Sequence, residues 1–245
     1  MLRMSQVVVS LLLAVLLVPN FAIAQEQPAK FTNESELGVV MVSGNARTQT
    51  YNVRQLNSYL LNDLDKMKFD GRYLRGLAND VETAKNWAAS LRYERELSEW
   101  YSLYAQQAQE SDIFAGYENR YNSDLGLKMF LTKNDSTVWF SELGYRYTAE
   151  FRTRGEPKRF SSGRLFTEAT HVFNKSSMGK IWGEYLPNFT EPEDYMINGE
   201  ASISAVLSDI FSIKTGYLFR YRNLLIGNAT TRIDSTVTTS LVAKF

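Results

Sequence analysis

His171 is the only histidine in the chain, and in RLFTEATHVF it follows Glu168 by three positions. An imidazole near a carboxylate is the raw material of a general base, which with a serine hydroxyl in reach would activate a nucleophile for hydrolysis. The surrounding pattern argues against this. If the segment is extended, His171 sides with Leu165, Ala169 and Phe173, while Glu168 faces the other way. Glu191, Glu193 and Asp194 in FTEPEDY are oxygen donors of the kind calcium takes, but they lack the spacing of a binding loop. The sequence therefore predicts no catalytic site, no metal and no cofactor, with a hydrolase kept as the rival reading.

A larger set of ionic side chains recurs at alternate positions. Arg92, Glu94 and Glu96 share one face of NWAASLRYEREL, Glu142 and Arg146 one face of TVWFSELGYRYT, and Lys214, Arg220 and Arg222 one face of FSIKTGYLFRYR. Arg164, Glu168, Glu184 and Glu200 fall on the matching face of neighbouring segments. Both signs on one surface suit a water-filled passage with weak charge preference. The same groups can instead pair across strands and fill a narrow passage, and this plugged or nearly plugged state is the one expected.

The elements that must carry these residues are strands, because period two recurs along the chain and a sustained helical period does not. Turn signals divide the chain into about twelve segments. They begin near Glu34, Thr48, Lys66, Asn86, Trp100, Tyr121, Thr137, Ser161, Met178, Tyr195, Phe211 and Thr230. Connections alternate between short ones (NDLD, SE, KND, NKSS, SD) and mostly longer ones (SGNAR, ANDVETAK, QESDIFAGYEN, RTRGEPKR, TEPED, LLIGNA). Antiparallel hairpins with that alternation put every short turn at one end. Segments of roughly 9 to 12 residues match a tilted bilayer crossing better than the strands of about 5 or 6 usual in soluble domains.

Composition narrows the setting. Lys plus Arg and Asp plus Glu both number 27, so no basic excess recommends nucleic acid, and there is no cysteine for a disulfide or thiolate site. Arg3, the run VVVSLLLAVLLV, Pro19 and small residues at Ala22 and Ala24 have the layout of a cleavable export signal, so residues 1–24 are expected to be removed and residues 25–245 to form one barrel domain. Trp87, Trp139, Tyr147, Tyr185 and Tyr221 lie near segment ends on the apolar face, where amphipathic rings rest among headgroups. Unpaired strand amides in hydrocarbon would each cost several kcal/mol, so such strands must close on themselves. The expectation is an all-β fold: a closed antiparallel transmembrane barrel in the outer membrane of a Gram-negative bacterium. LVAKF, ending in Phe245, would then be the strand that seals the barrel and is read by the assembly machinery.

SELGVVMVSGNARTQTYN, residues 35–52, resembles the opening of a Gram-negative family of salt-induced outer membrane proteins. Ser43, Gly44 and Asn45 fit its motif, and Ala46 stands where the family has Thr. The resemblance runs over the mature chain and implies an outer-membrane barrel without an assigned activity. Taken together, the expected function is a non-enzymatic narrow channel or envelope-stress structural protein. An alternative is a surface-binding barrel in which Arg152, Arg154, Lys158 and Arg159 of FRTRGEPKRF hold lipopolysaccharide phosphates. Expected partners are outer-membrane lipid and the barrel-assembly machinery, with no nucleic acid and the oligomeric state open. Asn33, Asn134, Asn174, Asn188 and Asn228 each open an Asn-X-Ser/Thr triplet, expected to mark polar turns and strands.

Overall fold

The computed structural model describes residues 30–42 and 47–245, so the expected leader, residues 1–24, and the Ser43–Ala46 motif lie outside the described residues. Twelve strands run in chain order: β1 (Phe31–Val42), β2 (Thr48–Leu60), β3 (Asp65–Ala78), β4 (Val81–Glu96), β5 (Tyr101–Asp112), β6 (Tyr117–Lys133), β7 (Thr137–Arg152), β8 (Lys158–Asn174), β9 (Ser177–Leu186), β10 (Met196–Val206), β11 (Phe211–Arg222) and β12 (Ile233–Lys244). Each pairs antiparallel with its sequence neighbours, and β1 pairs with β12 to close the barrel. The seam is short. It is registered only over Glu34–Leu37 against Lys244–Leu241, and reciprocal bonds between the backbones of Asn33 and Phe245, both 3.0 Å, extend it to the rim.

The five turns after β2, β4, β6, β8 and β10 lie at one rim, here the turn rim. Asparagine shapes three of them. The carboxamide oxygens of Asn62, Asn134 and Asn174 accept backbone N–H bonds from residues two positions on, at 2.8–3.1 Å. These side chains reproduce a backbone turn with no ladder partner needed. Asn188 does the same for Thr190 in the β9–β10 loop. Three of the Asn-X-Ser/Thr triplets are thus turn chemistry.

The opposite, loop rim departs from expectation in a specific way. ANDVETAK is not a long loop. Ala78 pairs with Val81, leaving only Asn79 and Asp80 at φ 49° and 64° as a two-residue turn. Asn and Asp tolerate the left-handed region that such a hairpin needs. In QESDIFAGYEN, β5 continues to Asp112 and β6 resumes at Tyr117. Hydrogen-bonded pairing simply runs on past the apolar part of each strand, so strands reach 10–17 residues rather than the expected 9 to 12.

The alternation sorts side chains as a barrel in lipid would. Leu143, Ile181 and Val237 face outward at mid-height with more than half their surface exposed. Trp100, Tyr101 and Trp139 flank that band near the turn rim, and Tyr73, Tyr121, Tyr147 and Tyr185 flank it toward the loop rim. The buried set is mostly ionic and polar, with Phe160, Leu186 and Met196 forming one small apolar cluster.

Candidate functional site

The lumen wall is organised around a residue that sequence reasoning did not single out, Tyr104. Along one row of the sheet, Tyr104 on β5 pairs with Gly126 on β6, which pairs with Gly144 on β7, which pairs with Arg164 on β8. A Cβ on Gly126 would stand 2.7 Å from the tyrosine ring, and one on Gly144 would stand 2.5 Å from its hydroxyl. The two glycines therefore open a trough in which the ring lies flat over neighbouring strands. Arg164 reaches back over Gly144 to donate from Nη1 to the Tyr104 hydroxyl at 2.9 Å, and the Arg92 guanidinium sits 3.9 Å from the ring centroid. Arg over an aromatic face gains from the ring quadrupole while both are withdrawn from water.

From this pivot a chain of charges crosses the wall. Lys68 donates to Glu94, Arg92 donates to Glu94 and forks onto Glu142, and Arg164 joins Glu142 to Glu184. Arg146 then binds Asp124 through two bonds of 2.7 and 2.8 Å and touches Glu184 at 3.3 Å. Burying such charges costs several kcal/mol each unless every one is paired, and the alternation of sign along the row supplies that pairing. Elsewhere on the interior, Lys214 bridges Glu36 at 2.9 Å and Glu200 at 3.4 Å, and Glu168 pairs with Lys180. Glu96 ends β4 at the turn rim with no side-chain partner among the described residues.

Near the loop rim the pairs cross the lumen itself. Arg222 on β11 binds Glu150 on β7 at 2.7 Å and also forks onto Asp194 of the β9–β10 loop at 2.6 and 2.7 Å. Arg220, one inward position lower, approaches Asp112 on β5, six strands away in the closed sheet, at 3.5 Å. Glu150 is fully buried and also accepts from Arg120 and Arg152. Above these pairs, the β11–β12 loop, residues 223–232, straps the mouth and docks on the far wall. Ile226 is buried there, and the Asn228 N–H donates to Thr153 at 3.2 Å. Gly116 and Gly227, at φ 93° and 57°, pack backbone to backbone, and a Cβ on either would collide with a carbonyl oxygen of the other loop.

Among the described residues, cavities remain beside the charged wall. One of about 770 Å³ begins among Asn33, Ser58 and Phe245 at the turn rim and rises past Lys68 and Lys214 to mid-barrel. A second of about 210 Å³ adjoins it and ends against Leu186 and Met196. Phe166 and Trp182, stacked with their centroids 5.9 Å apart, line the larger one, and they continue a diagonal row of rings from Phe130 and Phe140. Lys128 lies 4.0 Å from the Phe140 centroid.

The basic loop cluster is divided. Arg152 turns inward to Glu150 at 2.9 Å, and Lys158 is held by Glu191 at 2.7 Å, leaving only Arg154 and Arg159 exposed without a carboxylate partner among the described residues. Parity explains the split, since Arg152 belongs to the inward face of β7. The Lys158 ammonium holds the Glu191 carboxyl below the usual carboxylate range. Asp194, one of the acidic oxygen donors in FTEPEDY, accepts from Arg222 through both carboxylate oxygens. His171 sits on the outward face of β8, 2.8 Å from the Thr137 hydroxyl and edge-on to Phe173, with the sheet between it and the inward-facing Glu168. Phe245 lines the turn-rim opening of the larger cavity and is half exposed.

Solved structures share this architecture at low identity, two of them with TM-scores above 0.5. The NanC porin superposes with a TM-score of 0.51 at 10% identity, covering 87% of this chain and 97% of that one. An outer membrane channel from Pseudomonas putida F1 superposes with a TM-score of 0.53 at 11% identity, covering 93% of this chain and all of that one. The likeness is one of fold, and the fold is that of outer-membrane barrels. No curated protein matches the chain. The family model described as a protein of unknown function, DUF481, matches residues 35–245, and the chain accordingly belongs to that family.

Proposed function

We propose that the protein is a narrow outer-membrane channel for small polar solutes, with its short turns in the periplasm and its longer loops outside, held closed at the loop end. One observation carries this reading: a cavity of about 770 Å³ rises from the turn rim as far as Arg220, and on the loop side of it Arg222 reaches across the lumen to Glu150. A barrel built only as a scaffold has no need of a lined vestibule, whereas a gated passage needs both a vestibule and a barrier. Two fold neighbours, named as a porin and as an outer membrane channel, are consistent with it.

Planar-bilayer recording on the purified, refolded protein tests the proposal. Wild type is expected to show small, infrequent openings, and Arg222→Gln to open more often or more widely. Silence from both proteins in bilayers that pass current with a control porin would reject the channel.

A further inference from the structure

Arginines inside the barrel are spent on carboxylates almost everywhere. Arg54, Arg92, Arg146 and Arg222 each make at least two hydrogen bonds to carboxylate oxygens. Arg72 on β3 and Arg220 on β11 donate none among the described residues. Their nearest carboxylates, Glu110 and Asp112, stand at 3.7 and 3.5 Å, well beyond the 2.7–2.9 Å of a charge-assisted bond. Those carboxylates are engaged elsewhere, Glu110 by Arg120 and Asn122 and Asp112 by the Ala115 N–H.

Position adds to the anomaly. Arg72 and Arg220 both line the larger cavity and the smaller one, so they stand where the two meet. A guanidinium offers five donors in a planar fork that matches a carboxylate. Two of them facing shared space with unspent donors are stabilised by an anion between them. The smaller cavity has a mixed lining: Ala88, Ala108, Leu186, Met196 and the Trp182 ring supply apolar surface beside ionic groups that are paired with one another, Glu110 with Arg120 and Glu184 with Arg146. Two cationic forks without hydrogen-bonded carboxylates, next to a patch of apolar wall, are the arrangement of a site that orients an organic acid.

We infer that the junction of the two cavities binds a small organic carboxylate, its carboxyl group held between Arg72 and Arg220 and its apolar or ring-bearing body seated against Trp182, Leu186 and Met196. The inference rests on the channel reading only for the route by which the solute arrives.

Isothermal titration of the full barrel in lipid nanodiscs, with empty nanodiscs subtracted, tests it with benzoate and its neutral isostere benzamide. Benzoate is expected to bind at least about tenfold more tightly than benzamide, each decade being about 1.4 kcal/mol. R72Q/R220Q is expected to erase that preference, and Arg75→Gln, whose side chain pairs with Glu82 away from the cavities, to preserve it. Retained heat-modifiable gel migration certifies that each variant is a closed barrel. Equal binding of the two probes, or an unchanged preference in a folded R72Q/R220Q barrel, overturns the inference. A silent bilayer with the preference intact rejects conduction alone, whereas conduction without it rejects this site alone.

Discussion

Arg222 on β11 and Glu150 on β7 meet across the lumen at 2.7 Å, and Glu150 at the same time gathers Arg120 and Arg152. One fully buried carboxylate thus holds three cations from β6, β7 and β11. Removing its charge leaves three guanidinium groups facing a neutral amide. Breaking a buried pair in this way costs roughly 3–5 kcal/mol. Glu150→Gln is therefore expected to lower the unfolding midpoint in urea, followed by tryptophan fluorescence in lipid vesicles. Adding Arg222→Gln is expected to restore part of the loss, because the two positions share one network. Strict additivity of the two substitutions would show that the bridge carries no coupling.

The strap over the mouth depends on two left-handed glycines. Gly116→Ala or Gly227→Ala places a methyl group against a carbonyl oxygen of the opposing loop and also strains the backbone, since φ is positive at both. The barrel wall is untouched by either change. The expected outcome is a protein that still migrates as a folded barrel but is cut by protease within residues 223–232 much faster than wild type. Equal cleavage rates would mean that the loop does not depend on this contact.

Parity sorted the side chains into two faces, segment length and the aromatic residues near segment ends said which face looks inward, and the interior geometry was not legible. Alternation in NWAASLRYEREL already separates Arg92 and Glu94 from Leu91 and Tyr93, because a strand fixes which side chains share a face. It says nothing about which charge meets which, since Arg92 reaches Glu142 three strands away. Tyr104 had a faint signal: two lumen-side glycines, Gly126 and Gly144, in otherwise bulky strands. Only the register, which sequence leaves open, brings them beside each other and beside the tyrosine. The long strands at the loop rim were missed for a related reason. Polar residues such as Glu82 and Lys85 read as loop by composition, yet outside the hydrocarbon a hairpin keeps pairing with polar side chains on both faces.

The trough occupied by Tyr104 gives a prediction that separates packing from charge. Gly144→Ala sets a methyl group 2.5 Å from the tyrosine hydroxyl, and overpacking of this kind costs typically 1–3 kcal/mol. Tyr104→Phe removes the clashing atom together with the bond from Arg164, a loss of about 1 kcal/mol taken alone. In the double variant the methyl fills space that the hydroxyl vacated, so the pair is expected to be less destabilised than the sum of the singles. A double-mutant cycle in urea reads the difference directly.

The outward face can be probed by depth. Leu143 sits at mid-height with 64% of its surface exposed, whereas Val81 is exposed at the loop rim. An arginine on the lipid face costs about 2–4 kcal/mol at the bilayer midplane and about 0–1 near its edges. Leu143→Arg is expected to lose stability in vesicles by several times more than Val81→Arg. In a detergent-free aqueous protein both positions would tolerate arginine equally, so similar effects would contradict a membrane-facing surface.

Acid should loosen one loop before the barrel responds. Lys158 at the start of β8 donates to Glu191 at 2.7 Å, tying the β9–β10 loop to the wall and holding the Glu191 carboxyl below the usual carboxylate range. A folded value below the unfolded one, about 4.3 for glutamate, means that the contribution is present above that pH and is lost as pH falls through the folded value. Both partners are well exposed, so the contribution is less than about 1 kcal/mol and is weakened by salt. Carboxyl carbon resonances followed by NMR are expected to show the Glu191 midpoint rising toward 4.3 in Lys158→Gln, with faster amide exchange across residues 187–195 at acid pH in wild type. A midpoint that does not move in Lys158→Gln would assign the depression to some group other than this lysine.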